Sequence, residues 1–405
     1  MSYGPTKLGR IWVKQQGAWG TYATSLADAD AIDAQGMFMP AGAYEALGQP
    51  TQRPVFGASD KKAGSKAGAT AQLTFVLTDC GNASAATIEH KLIADALGAL
   101  QTAAAIGSLV GSTVDSLSVT TGSAAQIGQG AVVGFDASNT VRAITFVKDF
   151  TDGSPDVYDT TWMNGSPNVS ASVGRTITLG FTTGNLAGLP FTMEFATPGT
   201  NGGFRAWDGR VTACNITANA KAQVLVAVTL QFLDWEYVDA LTAPAFSFPR
   251  TQLGPVLKAE SLDVANQVAD CYAELAINIT QTLTEALCSS SEQGVSQLVT
   301  SDRAVVITER SITSDIYAGL ETSGALIPGA EVERVWQLSS TGAATGYRAA
   351  CYGAALQYQS SSKPVDLGGI WGLERIYEVR NVVAAGDGTA GASTVKGTAF
   401  RLAFG

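Results

Sequence analysis

Histidine occurs once in the 405 residues, cysteine five times, and charged side chains make up only 15% of the chain. With His90 alone, neither a zinc site built on several imidazoles nor most nucleophile–base pairs can be assembled. Cys80, Cys214, Cys271, Cys288 and Cys351 are odd in number and none is spaced C-x-x-C, so free buried thiols in a reducing compartment are expected. Basic residues are scarce too: 25 Lys and Arg face 35 Asp and Glu, a net charge of −10. A nucleic-acid binder needs a basic face that releases phosphate counterions, and none is in prospect. The opening MSYGPTKLGRIWVKQQG has no apolar signal core, which argues against the usual secretory route, and leaves the N-x-S/T matches at Asn82, Asn168, Asn215 and Asn278 without a glycosylation meaning. Leu92–Val110 is the nearest approach to a membrane span, but Asp95, Gly98, Gln101, Gly107 and Ser108 interrupt it.

What is abundant is Gly, at 44 residues, together with Ala, Ser, Thr and Val in short segments between turn residues. That composition favours a mainly β chain, and the length favours more than one domain. The clearest strand is AQVLVAVTLQF (222–232), where Val224, Val226, Val228, Leu230 and Phe232 share one face and Gln223, Thr229 and Gln231 lie on the other. A period of two over eleven residues gives a strand of roughly 36 Å, about twice a common one. TAQLTFVLTDC (70–80) alternates in the same way, as does DCYAELAINITQTL, with Leu275, Ile277 and Ile279 inward. Between Ser84 and Ala104 the spacing turns helical, with Ile88, Leu92, Ala96, Leu97 and Leu100 on one stripe and Gly107 and Gly111 as the stop.

Several short strands between turn clusters at about 112–190 read as an inserted small β-module. Three prolines in the 239–255 stretch mark a linker. Beyond it the order of elements begins again, with DCYAELAINITQTL in the place that TAQLTFVLTDC holds in the first half. GYRAACYGAALQYQSSSKPVDLGGIWGLERIYEV parallels GFRAWDGRVTACNITANAKAQVLVAVTLQFLDWEYV: each starts Gly, aromatic, Arg, Ala, and runs through a polar turn into a second strand. The expected division is a first domain at 1–240 carrying the module, and a second, related domain at 241–405.

Catalytic constellations are hard to find. His90, between Glu89 and Lys91, reads as a solvated or helix-packing residue. GDGTAG at 386–391 fits G-x-G-x-x-G, yet too little chain follows for the helix and second strand of a dinucleotide fold, so a hairpin turn is the better reading. Asp28, Asp30 and Asp33 lack the Gly and terminal Glu of a calcium loop. Asp234, Trp235, Glu236 and Tyr237 suit a rim or subunit contact. No metal, cofactor or catalytic residue is assigned, and an enzyme such as a cell-wall hydrolase finds no paired carboxylates to support it.

Taken together, the IWVKQQGAWGTYAT segment, the TAQLTFVLTDC strand, a helix around LIADALGAL and the pair VTACNITANAKAQVLVAVTLQFLDWE resemble the tail tube (major tail) proteins of long, non-contractile-tailed bacteriophages. In the second half PVLKAESLDV, CYAELAINI, DRAVVITER and the GGIWGL strand with a closing TAFRLAF extend the resemblance to most of the chain outside 112–190. It implies two tandem β-sandwich or barrel tail-tube domains, each with long hairpins and a flanking helix. It implies further a structural virion protein of the phage tail, assembled in the host cytoplasm, whose hairpins join those of neighbours into an inner barrel. Rings, with two domains per chain as trimers, would stack into a tube for genome passage. Implied partners are further copies of itself and the tape-measure, terminator and baseplate proteins, with DNA passing unbound and no membrane insertion. Lys221, Gln223, Thr229 and Gln231 are the expected lumen-facing residues. Val224, Val226, Val228, Leu230, Phe232, Leu275, Ile277, Ile279 and Trp371 are expected to pack the core or barrel wall. A ring-forming distal-tail or terminator protein is an alternative, as is a receptor-binding tail adhesin with Trp162 and Trp207 as glycan anchors.

Overall fold

The computed structural model describes residues 10–34, 41–48, 61–77, 87–101, 105–112, 116–119, 132–136, 142–151, 156–164, 170–173, 175–179, 188–196, 202–220, 222–239, 241, 261–263, 269–288, 295–312, 331–339, 348–359, 363–380 and 400–404. They form a mainly β protein: one large antiparallel sheet, a smaller closed barrel and one short α-helix.

In chain order the first strands are β1 (Arg10–Gln15), β2 (Ala31–Ile32), β3 (Ala41–Gly48) and β4 (Lys61–Val76), followed by helix α1 (Ile88–Leu97) and β5 (Gly98–Gln101). Next come β6 (Ala105–Ser112), β7 (Ser116–Val119), β8 (Val132–Asp136), β9 (Arg142–Thr151), β10 (Asp156–Asn164) and β11 (Ser170–Val173). These six close on themselves as the small barrel, while β12 (Arg175–Leu179) returns to the large sheet between β5 and β23 (Phe400–Phe404). The first half ends with β13 (Phe191–Ala196), β14 (Gly203–Asn219) and β15 (Leu225–Val238). The second half holds β16 (Ser261–Asp263), β17 (Ala269–Leu287), β18 (Val295–Ile312), β19 (Glu331–Ser339), β20 (Arg348–Tyr358), β21 (Lys363–Asp366) and β22 (Trp371–Val379).

Within the large sheet the pairings trace two circuits. In the first, β1 pairs β2, the bridge Ala34–Phe75 leads to β4, and β4 pairs β15, β15 pairs β14, β14 pairs β13 and β13 returns to β1. In the second, the path runs β16, β17, β18, β22, β20, β19 and back to β16. Numbered along the chain, both circuits read 1-2-3-6-5-4. The position of β4 therefore matches β18, whereas the sequence pattern sets TAQLTFVLTDC beside the β17 segment. Alternation alone cannot tell two adjacent strands of one hairpin apart.

Long strands of both halves then lie side by side, because the C-terminal part of β14 pairs β15 on one edge and β17 on the other. One transverse row makes the continuity concrete: Phe75, Val226, Ile216, Ile277, Ile307 and Tyr377 are successive cross-strand partners on β4, β15, β14, β17, β18 and β22. All six are buried. Branched and aromatic side chains suit such rows, each contributing about 1.5–3 kcal/mol on burial. The next row, Leu73, Val228, Cys214, Ile279 and Val305, is buried as well.

Helix α1 is shorter than the spacing predicts. Thr87 caps its start, its hydroxyl accepting from the His90 amide, and Gly98 ends it at φ 117, a conformation that disfavours a side chain. The chain turns straight into β5, so Gly107 lies within β6 instead of stopping a helix. Both faces of α1 are covered: Glu89 and His90 are buried along with Ile88, Leu92, Ile93 and Leu97, which makes His90 a packing residue. No described helix is long and apolar enough to cross a membrane.

Candidate functional site

The candidate surface is the open face of the six-strand wall, opposite the apolar rows. One row across it reads Thr74, Ala227, Asn215, Asn278, Val306, Glu378, and the next Gln72, Thr229, Ala213, Thr280, Ala304. Asn215, Thr280, Gln72 and Glu378 are exposed and the others half-buried. Where β4, β15 and β14 form these two rows, no side chain is charged. Small hydroxyl, amide and methyl groups leave a wettable face without cations to hold a polyanion.

Charge returns toward one end of the wall, as a self-neutralising row. Glu274, Arg310, Glu374 and Lys363 are successive cross-strand partners on β17, β18, β22 and β21. Arg310 lies 2.7 Å from Glu274 and 2.8 Å from Glu374, and Lys363 lies 2.7 Å from Glu374. Burial opposes the charge of Glu374, but its bonds to Lys363 and Arg310 prevail and hold its carboxyl below the ordinary value. A second carboxylate–guanidinium–carboxylate row, Glu194–Arg205–Glu236, crosses β13, β14 and β15.

Beneath the wall lie two buried polar clusters. At the junction of the halves Arg210 of β14, fully buried, donates to Asp95 of α1 at 2.8 Å, to the Leu298 carbonyl and to Thr300 on β18. Asp95 also accepts from the Val211 amide, the Val211 carbonyl accepts from Gln281 of β17, and Gln281 accepts from Arg303 of β18. Burial pushes the Asp95 carboxyl up despite Arg210, and lowers Arg303 to about 10. Inside the second circuit Glu309 accepts from Arg334, Arg375 and the Trp336 indole, the last at 2.7 Å. There burial also disfavours the anion, yet Arg334 and Arg375 outweigh it and hold the Glu309 carboxyl below its ordinary range.

Of the residues expected at a lumen, Thr229 and Gln231 are half-buried and Gln223 is exposed, while Lys221 lies outside the described residues. Val224, Val226, Val228, Leu230, Phe232, Leu275, Ile277 and Ile279 are all in the core. Trp371 is not: it begins β22 at a hairpin turn, 67% exposed beside exposed Ile370. An apolar residue at a strand end can project past the last partner strand, which its phase in the sequence does not reveal. Trp235 is buried, with its indole donating to the Ala67 carbonyl, so of that acidic–aromatic group Tyr237 is the exposed ring and Glu236 pairs Arg205. Trp207 packs edge-to-face on Tyr22, and the side chain of Trp162 lies outside the described residues, as do GDGTAG and the proline linker. Asp30 accepts from the Ala27 amide and pairs with Lys14 at 3.6 Å, which gives that acidic loop a structural use.

Arg210, Gln281, Arg303 and Glu309 are the residues that sequence reasoning misses. Gln281, Arg303 and Glu309 each occupy an inward phase of an otherwise apolar strand, and that out-of-pattern polarity is the signal that could have found them, whereas Arg210 is the register partner of Gln231 and its phase gives no such signal. Among the described residues no His, Cys, Asp and Glu group has the makings of a metal site. No protein-family model matches the chain, and no curated protein is significantly similar to it.

Proposed function

We propose that the chain is a structural, non-enzymatic subunit of a phage tail tube, two tandem tail-tube domains whose copies form stacked rings around a genome conduit. The observation that carries it is the wall itself: strands from both halves in one register, apolar toward the core, uncharged on the open face in the two rows across β4, β15 and β14, and self-paired in charge beyond them. The matching 1-2-3-6-5-4 order of the two circuits supports a duplicated domain. So long a set of strands would be an aggregation hazard with its edges open, and closure into a barrel removes the hazard.

Size favours three copies. With β3 against β4 and β21 against β22, the six-strand wall extends to eight: β3, β4, β15, β14, β17, β18, β22 and β21. At about 4.8 Å per strand and a tilt of about 40°, three copies would close a barrel roughly 48 Å across between backbones. Two copies would give only about 32 Å, from which two layers of side chains must be subtracted. Neutral groups, with the cations of the open face paired to carboxylates, let a polyanion slide without adhering. The expected partners are further copies of the chain and, at the tube ends, the tape-measure, terminator and baseplate proteins. Negative-stain electron microscopy of the purified protein tests the reading: hollow tubes or three-fold rings are expected, and particles that remain monomeric at high concentration would sink it.

A further inference from the structure

The seam between β14 and β17 joins the fifth strand of the first circuit to the second strand of the second. Seven residue pairs make it, from Ala213–Thr280 to Asn219–Glu274, and the Ala220 amide extends it by donating to the Ala273 carbonyl. Two strands that flank the circuits, β21 and β3, have no such partner among the described residues. β21 stands against β22, next to the hairpin turn, as Ala213–Asn219 stands against β15, and it pairs β22 alone. β3 lies along β4 as β17 lies along β18, and it pairs β4 alone.

We infer that the seam recurs between copies, the free edge of β21 in one chain pairing with the free edge of β3 in the next; the inference rests on the ring reading above. The two edges are different surfaces of one chain, so the contact is head-to-tail, and repetition generates a ring when the rotation per copy closes. The wall of each copy then continues into its neighbour in the way that the first circuit continues into the second. The alternating row Glu274–Arg310–Glu374–Lys363 ends at the β21 edge on Lys363, whose side chain is 62% exposed. Pro364 withholds one amide from the edge, a common means of keeping an open strand from indiscriminate pairing before the right partner docks.

Disulfide mapping in the full chain tests it. Val365→Cys is combined in turn with Ala41→Cys, Ala43→Cys and Ala46→Cys, each single variant serving as the control for the native thiols. After mild oxidation, one of the three combinations is expected to give covalent dimers and a closed higher species on a non-reducing gel, with rings still visible by electron microscopy. Rings that form without any combination linking copies beyond the single-variant background would overturn the edge assignment and leave the tube reading standing. Unsubstituted protein that never forms rings or tubes would overturn both.

Discussion

Val226 lies in the middle of the buried transverse row, in register with Phe75 and Ile216. A carboxylate there would be buried without a partner, so Val226→Asp is expected to cost more than about 5 kcal/mol and leave no cooperative melt. Thr229 lies three residues away on the open face, where Thr229→Asp should keep the far-ultraviolet dichroism and Tm of the parent and change assembly instead. Glu309 offers a pH test. Its folded carboxyl titrates below the ordinary 4.5, so its contribution is complete above that value and is lost as pH falls through the lower, folded one. Tm should therefore drop as pH falls below about 4.5. Glu309→Gln should flatten that dependence while costing about 3–5 kcal/mol at neutral pH, because Arg334 and Arg375 stay buried with their anion gone. Cys214, pushed up to about 12 by burial, and Cys351, pushed further, are expected to resist alkylation in the native protein and react only on unfolding.

Single elements show which signals a sequence carries well. The strands around Leu73, Val228 and Ile277 are legible because period-two alternation survives wherever one face is buried. The length of α1 is not, since the stripe through Leu100 continues past Gly98 while the backbone at Gly98 leaves the helix. Thr87→Ala should lower stability by about 1 kcal/mol through the lost cap, and Gly98→Ala by about 1–3 kcal/mol through backbone strain, both measurable by denaturant titration. The β17–β18 hairpin is longer than its alternating core suggests. Its outer residues, Thr282, Thr284 and Glu285, are exposed and hold their place by cross-strand pairing rather than burial.

At the scale of the molecule, the Asp95–Arg210–Gln281–Arg303 cluster ties α1 and the first circuit to the second. Arg210→Met leaves Asp95 buried with its closest cation gone and is expected to separate one thermal transition into two, as seen by calorimetry. If the halves were independent units tethered by chain alone, the parent would already melt in two steps.

The sequence by itself determined the class of structure: mainly β, charge-poor, short of catalytic groups, with long strands whose buried faces can be named residue by residue. Periodicity and composition report the environment of each side chain locally, and that environment is what they recover. Which strand lies beside which was decided by tertiary structure alone. The pairing of β14 with β17 joins residues 55 to 67 positions apart, the burial of Arg210 against Asp95 joins residues 115 apart, and the shared 1-2-3-6-5-4 order rests on pairings of the same long-range kind. Hydrogen bonds between strands are formed by backbone groups that every residue carries, so no local pattern encodes the partner.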